Sequence, residues 1–168
     1  MWEIKIHEQK PAKVRHRDML VVVKKVCMLG DAAVGKTSLI GRYVYNIFDD
    51  KYLATIGAKI TKKTLFAEID ALNQILKLKF MIWDIAGQES FDWIKPTYYH
   101  NAEGAMVVAD ITRKSTLRNV PAWVEALYKV TGTQPIVMVV NKMDLIEQAE
   151  FDEGEVQELA DIYNTSCY

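Results

Sequence analysis

Val26-Cys27-Met28-Leu29-Gly30-Asp31-Ala32-Ala33-Val34-Gly35-Lys36-Thr37-Ser38 is the stretch that decides the fold of this chain. An apolar run stops at a glycine, and Gly-Lys-Thr follows after four intervening residues, which is the pattern G-x-x-x-x-G-K-[ST] between a strand and a helix. Backbone N–H groups in such a loop wrap phosphate oxygens, and the helix that follows adds the positive end of its dipole. Lys36 adds a full charge. Gly30 and Gly35 permit a tight turn and a close approach of backbone to anion. The Thr37 hydroxyl stands where Mg²⁺ takes an oxygen ligand. Gly30, Asp31, Ala32, Ala33, Val34, Gly35, Lys36, Thr37 and Ser38 are therefore the candidate phosphate-binding residues.

Around this loop, strands and helices alternate. Residues 20–29 are apolar and β-branched, interrupted by Lys24 and Lys25, and read as a strand buried in its second half. Over 37–47 a helix is expected, with Leu39, Ile40, Tyr43, Val44 and Ile47 on one face. The periodicity breaks over 48–57. Two strands, 59–69 and 75–84, flank a turn, and in the second Leu76, Leu78, Phe80 and Ile82 recur at period two. Residues 105–110 and 135–140 are short buried strands. Pro121 suits the first turn of a helix carrying Val124, Leu127, Tyr128 and Thr131 on one face. Asp152 and Glu155 make a cap signature for a helix over 153–163. The order β-α-β-β-α-β-α-β-α predicts an α/β fold of three layers, a P-loop NTPase fold. Its sheet is mostly parallel with one antiparallel hairpin strand, and helices lie on both faces. Ligands of such sheets bind at the carboxyl ends of the strands.

Two further segments carry chemistry. Asp84-Ile85-Ala86-Gly87-Gln88-Glu89 closes the hairpin. Asp84 is a strand-end carboxylate suited to Mg²⁺, directly or through water. Gly87 offers an N–H to a terminal phosphate, and Gln88 can orient an attacking water. Asn141-Lys142-Met143-Asp144 follows the strand 135–140. Guanine presents N1–H and an exocyclic NH₂ side by side, and a carboxylate such as Asp144 accepts both. Adenine has an acceptor at N1 and no amino group at C2, so it leaves that carboxylate unpaired.

In order and approximate spacing, the three segments resemble those of the Ras-superfamily small GTPases, from about Lys24 to the last residue. That resemblance implies a switch that binds GTP and GDP with Mg²⁺ and hydrolyses GTP to GDP and phosphate, with Gln88 and Lys36 in catalysis. It brings in residues that spacing alone does not. Thr55 of Thr55-Ile56-Gly57 falls in switch I and joins Thr37 and Asp84 at the metal. Phe48 falls where the family stacks a ring on guanine, and Tyr52 where a tyrosine covers the phosphates. Exchange factor, activator and effectors are implied at loops 48–57 and 85–99. The stretch 51–57 and the segment 119–123 look Ran-like, while 87–91 and Tyr98-Tyr99 fit the Rab or the Ran branch. Alternatives from other classes are a guanine-nucleotide-binding switch or scaffold with negligible hydrolysis and an ATP-using P-loop enzyme; Asn141–Asp144 opposes the latter.

Two departures stand out. Ala32 and Ala33 occupy positions where many members carry glycine, and a methyl at Ala32 narrows the space beside Gln88, which predicts slow hydrolysis without an activator. Residues 164–168 fall on the approach to a last strand, with no Thr-Ser-Ala-Lys loop or final helix beyond, so a truncated domain over 21–168 with an uncovered apolar sheet face is expected. Residues 1–20, with Lys10, Lys13, Arg15 and Arg17, read as a basic, solvated extension, or as an added strand over 2–6.

Bulk properties agree with one globular domain: 168 residues, half of them apolar and 26% charged. A formal net charge of −1 gives no global pull toward nucleic acid or an anionic membrane surface. Cys27 and Cys167 lie far apart without metal-ligand spacing and read as free thiols, so the cytoplasm is the expected location.

Overall fold

A computed structural model gives the fold, and the structure describes residues 4–9, 18–47, 54–69, 74–88 and 94–168. The elements are β1 (Ile4–His7), β2 (Asp18–Leu29), α1 (Lys36–Ile40), β3 (Ala58–Ile69), β4 (Gln74–Ile85), α2 (Lys95–Tyr99), β5 (Ala105–Asp110), α3 (Lys114–Arg118), α4 (Val120–Thr131), β6 (Ile136–Asn141) and α5 (Glu153–Ile162). A π-turn, Gly41–Tyr45, extends α1, and a 3₁₀ turn, Met143–Gln148, follows β6. Phe48, Tyr52, Glu89 and Trp93 lie outside the described residues.

The six strands form one sheet in the order β1-β3-β4-β2-β5-β6. β2 runs parallel to β4 and β5, and β5 parallel to β6, whereas β3 is antiparallel to β4 and β1 antiparallel to β3. The predicted hairpin is thus present, and β1 adds a second antiparallel pairing. Of the two readings of the N-terminal segment, the added strand holds over Ile4–His7, which pairs with Phe66–Ile69 at the sheet edge. β2 begins at Asp18, so a domain boundary after residue 20 would cut through a strand.

Period-two alternation divides the central strands between two cores. From β5, Ala105, Val107 and Ala109 join Cys27, Leu29 and Ile85 on one face, packed by Tyr99, Val124, Leu127 and Ala160. On the other face Met28, Ile82 and Val108 meet Val34 and Ile40. Burying a side chain such as Leu127, which is fully enclosed, contributes about 1.5–3 kcal/mol. No helix among the described residues is long and apolar enough to cross a membrane.

The helical face expected over 37–47 holds only in part. Leu39, Ile40 and Val44 pack inward, but Tyr43 and Ile47 are more than half exposed. The cause is the π-turn that starts at Gly41, which adds a residue to the turn and breaks the i, i+3/i+4 register after Ile40. Lys63 then covers Tyr43, with Nζ 4.5 Å from the ring centroid.

β3 and β4 are twelve residues each, twice the length of β5. β5 meets only Cys27–Leu29 of β2, so the first half of β2 projects beyond it and leaves Met19, Leu20, Val21 and Val23 exposed. The chain end behaves as expected: after Asn164 (φ 47°) it lies along β6, with Val140 N–H donating to Tyr168 O at 2.8 Å and an isolated bridge from Met138 to Cys167.

At the start of α5, Asp152 accepts the Glu155 N–H at 3.0 Å. Asp152→Ala should lower unfolding free energy by about 1 kcal/mol, read as a lower urea midpoint at unchanged slope; a change in slope would point to something other than a lost cap.

Candidate functional site

The loop 30–35 links the end of β2 to α1 and borders a cleft of about 620 Å³. Ala32, Ala33, Gly35, Lys36, Thr37 and Ser38 line it. Gly30, Asp31 and Val34 do not. Val34 is a fully buried core residue. The Asp31 carboxylate turns away from the cleft to accept Trp123 Nε1–H at 2.8 Å and Asn119 Nδ2–H at 2.9 Å from α4 and its cap. Asp31 can therefore serve a ligand only through its backbone.

Lys36 opens α1 with only 6% of its surface exposed. Its ammonium donates to Gly30 O at 2.6 Å and Asp31 O at 2.8 Å. Burial pulls its pKa down to about 8; Asp84 and Asp31 act in the opposite sense, while Lys95 and Arg113 lower it further. A protein cation held between two carbonyls is thus poised to gain from an anion arriving in the cleft.

Opposite it, Thr37 Oγ1 lies 2.9 Å from Thr55 Oγ1 and donates to Asp84 Oδ2. Asp84, the penultimate residue of β4, is almost wholly buried, and its Oδ1 is without a partner. Burial raises the Asp84 pKa, against hydrogen bonds from Thr37 and Thr55 and the charges of Lys36 and Lys59. Two neighbouring hydroxyls meet one oxygen of a buried carboxylate whose other oxygen is unsatisfied. That donor set fits a hard divalent cation with oxygen ligands, which would also relieve the orphaned Oδ1.

Gly87 and Gln88 line the same cleft beyond β4. A Cβ on Gly87 would stand 2.3 Å from Asp31 C and 2.5 Å from Ala32 N, so any other residue would push this segment off the phosphate loop. Gln88 also lines a neighbouring depression with Ala32, Lys95, Arg113 and Trp123. There the Lys95 ammonium sits 4.0 Å from the Trp123 ring centroid.

The segment after β6 leans on the phosphate loop. Asn141 Nδ2 donates to Val34 O at 2.8 Å, in the space a Cβ on Gly35 would fill at 2.2 Å. Lys142 adopts φ 65° and lines the cleft. Asp144 sits exposed in the first turn of the 3₁₀ segment. The three predicted segments are therefore brought together, and Thr55 with them.

Sequence reasoning missed Asp110 and Arg113. Asp110 has no exposed surface. It accepts Thr112 N–H at 3.0 Å, Thr112 Oγ1–H at 2.7 Å, Arg113 Nε–H at 2.9 Å and Lys142 Nζ–H at 2.6 Å. Burial alone would raise its pKa, but the hydrogen bonds from Lys142, Thr112 and Arg113 hold the carboxyl at about 2. Its signal was available: like Asp84, it is a carboxylate that ends an apolar strand.

The sequence profile of the Ras family matches residues 25–168. Similar proteins include Rab-22A of Homo sapiens and of Canis lupus familiaris, each 40% identical over 139 residues, which is 82% of this chain and 68% of the relative. Rab-31 of Rattus norvegicus is 39% identical over the same shares. Of the two branches suggested by the sequence, these relatives support the Rab side.

With phosphate on the ammonium form of Lys36, as the sequence predicts, GDP binding should take up protons near its depressed pKa of about 8. From pH 7 to 9 this residue alone should weaken GDP affinity about tenfold, with uptake of about half a proton at pH 8. Calorimetry in buffers of different ionisation enthalpy checks it; equal heats in all buffers at pH 8 would refute it. The fold without nucleotide should show the opposite trend, gaining stability from about pH 8 toward the ordinary lysine value of 10.5. There the unfolded chain binds a proton that the folded one does not.

Proposed function

The chain belongs to the Ras family, and from that premise we propose how its residues divide the work of a Rab-like small GTPase. Members of this family bind GTP and GDP, hydrolyse GTP, and act as switches read by regulators and effectors, and this chain is such a GTPase. The observation that carries the residue assignment is the meeting of Thr37, Thr55 and the buried Asp84 carboxylate, its Oδ1 unsatisfied, near the Lys36 ammonium.

In this proposal Lys36 holds the β- and γ-phosphates, and the N–H groups of Ala33, Val34, Gly35 and Thr37 surround them with Ser38 alongside. Thr37, Thr55 and Asp84 would hold Mg²⁺, which when bound would supply positive charge against the phosphates. Gln88 holds a water in line with the γ-phosphorus. The protein then accelerates hydrolysis by positioning and by charge stabilisation, with no covalent intermediate. Loss of the γ-phosphate removes the oxygens that engage Thr55 and the Gly87 N–H. The segments around them, 48–57 and 85–99, loosen, and partners that read their ordered shape dissociate. Exchange factor, activator and effectors are assigned to those two segments. Phe48 and Tyr52, outside the described residues, take the base-stacking and phosphate-covering roles through the family resemblance. The two free thiols support a reducing compartment, the cytoplasm.

Asp144 selects guanine by accepting N1–H and the 2-amino group. ATP should therefore compete with a fluorescent guanine nucleotide at least about 10⁴-fold less well than GTP. Comparable competition by the two would overturn the base assignment.

Ala32 sits in the cleft beside Gln88, where its methyl takes space that a catalytic group could use. Ala32→Gly should hydrolyse GTP faster than wild type in single-turnover phosphate release and respond more to an activator's arginine. Equal rates of wild type and Ala32→Gly, both without and with an activator, would remove that role for the methyl.

A further inference from the structure

Asp110 ends β5 directly beside Asn141, the register partner that begins the base loop. Its Oδ1 is engaged by its own turn, through Thr112 N–H and Oγ1–H. Its Oδ2 receives two cations from different segments: Lys142 Nζ at 2.6 Å and Arg113 Nε at 2.9 Å. The other arm of the Arg113 fork, Nη2, donates to the Ala32 carbonyl of the phosphate loop at 2.9 Å. One fully buried carboxylate is thus the shared anchor of the loop that faces the base and the loop that faces the phosphates.

We propose that Asp110 is a positioning residue for the bound nucleotide, acting on the phosphate loop through Arg113 and on the base loop through Lys142. This deepens the guanine-nucleotide reading above and rests on it. The planar guanidinium makes the first arm directional. With Nε fixed on the carboxylate, Nη2 fixes where the Ala32 carbonyl points. The Ala32–Ala33 peptide is planar and trans, so the Ala33 N–H points the opposite way from that carbonyl. Ala33 holds φ 60°, a left-handed conformation rare for alanine, and therefore needs such an external restraint. The second arm restrains Lys142, which like Ala33 is a non-glycine residue lining the cleft with a positive φ. A lysine at position 113 would keep the charge but could not span both acceptors as a rigid fork.

The test uses the full chain loaded with fluorescent GDP and chased with unlabelled GDP, together with relative affinity for GDP and inosine diphosphate. Inosine diphosphate lacks only the 2-amino group that Asp144 is assigned to read. Arg113→Gln and Arg113→Lys should each speed GDP release about tenfold and leave the GDP preference unchanged. Asp110→Asn should speed release further and narrow that preference, because it frees Lys142 as well. The Asp110→Asn/Arg113→Gln double variant should match Asp110→Asn alone within about twofold, since Arg113 acts through the same carboxylate. A purely structural Asp110 would lower thermal stability without narrowing the base preference. The proposal falls if Arg113→Gln releases GDP at the wild-type rate, if the double variant shows the product of the single effects, or if Asp110→Asn keeps the full preference. Should Asp110→Asn not fold, the two Arg113 variants decide the matter, because Arg113 is partly exposed and its removal leaves Asp110 paired with Lys142. Failure of the wild-type chain to retain GDP at all would instead overturn the guanine-nucleotide reading itself.

Discussion

The site depends on a backbone that other segments can approach without side chains in the way. Asn141 reaches Val34 O only because Gly35 has no Cβ, and the Gly87 segment rests on the Asp31–Ala32 peptide only because Gly87 has none. Both contacts converge on one loop of six residues. The segment that follows β6 and the segment that follows β4 are thereby referred to the same short piece of chain. A methyl at either glycine would separate parts that the chemistry needs within hydrogen-bond reach, because the atoms it would meet belong to a backbone peptide or to the Asn141 amide.

Charge is arranged around that loop with little redundancy. Lys36, Lys95 and Arg113 are close enough for the latter two to depress the Lys36 pKa, while Asp84 and Asp31 offset them. Arg113 and Lys142 share Asp110. The carboxylates that balance these cations are spent on structure: Asp31 on α4, Asp110 on its turn and two cations. Lys36 is held by two neutral carbonyls, with Asp84 and Asp31 acting on it only through space. Its ammonium stands at the start of a helix, where an anionic phosphate gains from both the charge and the helix end.

Much of the architecture was legible because it is periodic or punctuated. Alternation in β4 and the apolar runs of β5 and β6 placed those strands within a residue or two of their ends, and Pro121 and Asp152 marked helix starts. The phosphate, metal and base segments were legible because each needs particular residue types in fixed order. What escaped were features decided by contacts between distant segments. The π-turn at Gly41 leaves no mark in hydrophobic spacing. The sequence leaves β1 open between a solvated extension and an added strand, because the pairing of so short a strand depends on the β3 edge rather than on its own pattern. Arg113 carried no signal in the sequence, since its partner Ala32 lies 81 positions away.

The outward face of the loop is as constrained as the face toward the cleft. Asp31 is tied to Trp123 and Asn119, and Trp123 in turn lies under the Lys95 ammonium of α2. These contacts lie behind the phosphate loop, in the depression that shares Ala32, Gly87 and Gln88 with the cleft. The loop is thus held by α4 on one side and by Arg113 on another, and both restraints end on residues 31 and 32. That placement has a physical consequence. Residues 33–37 remain to meet a ligand, from a frame held by these contacts on both sides, and a loop so restrained has less conformational freedom to lose on binding.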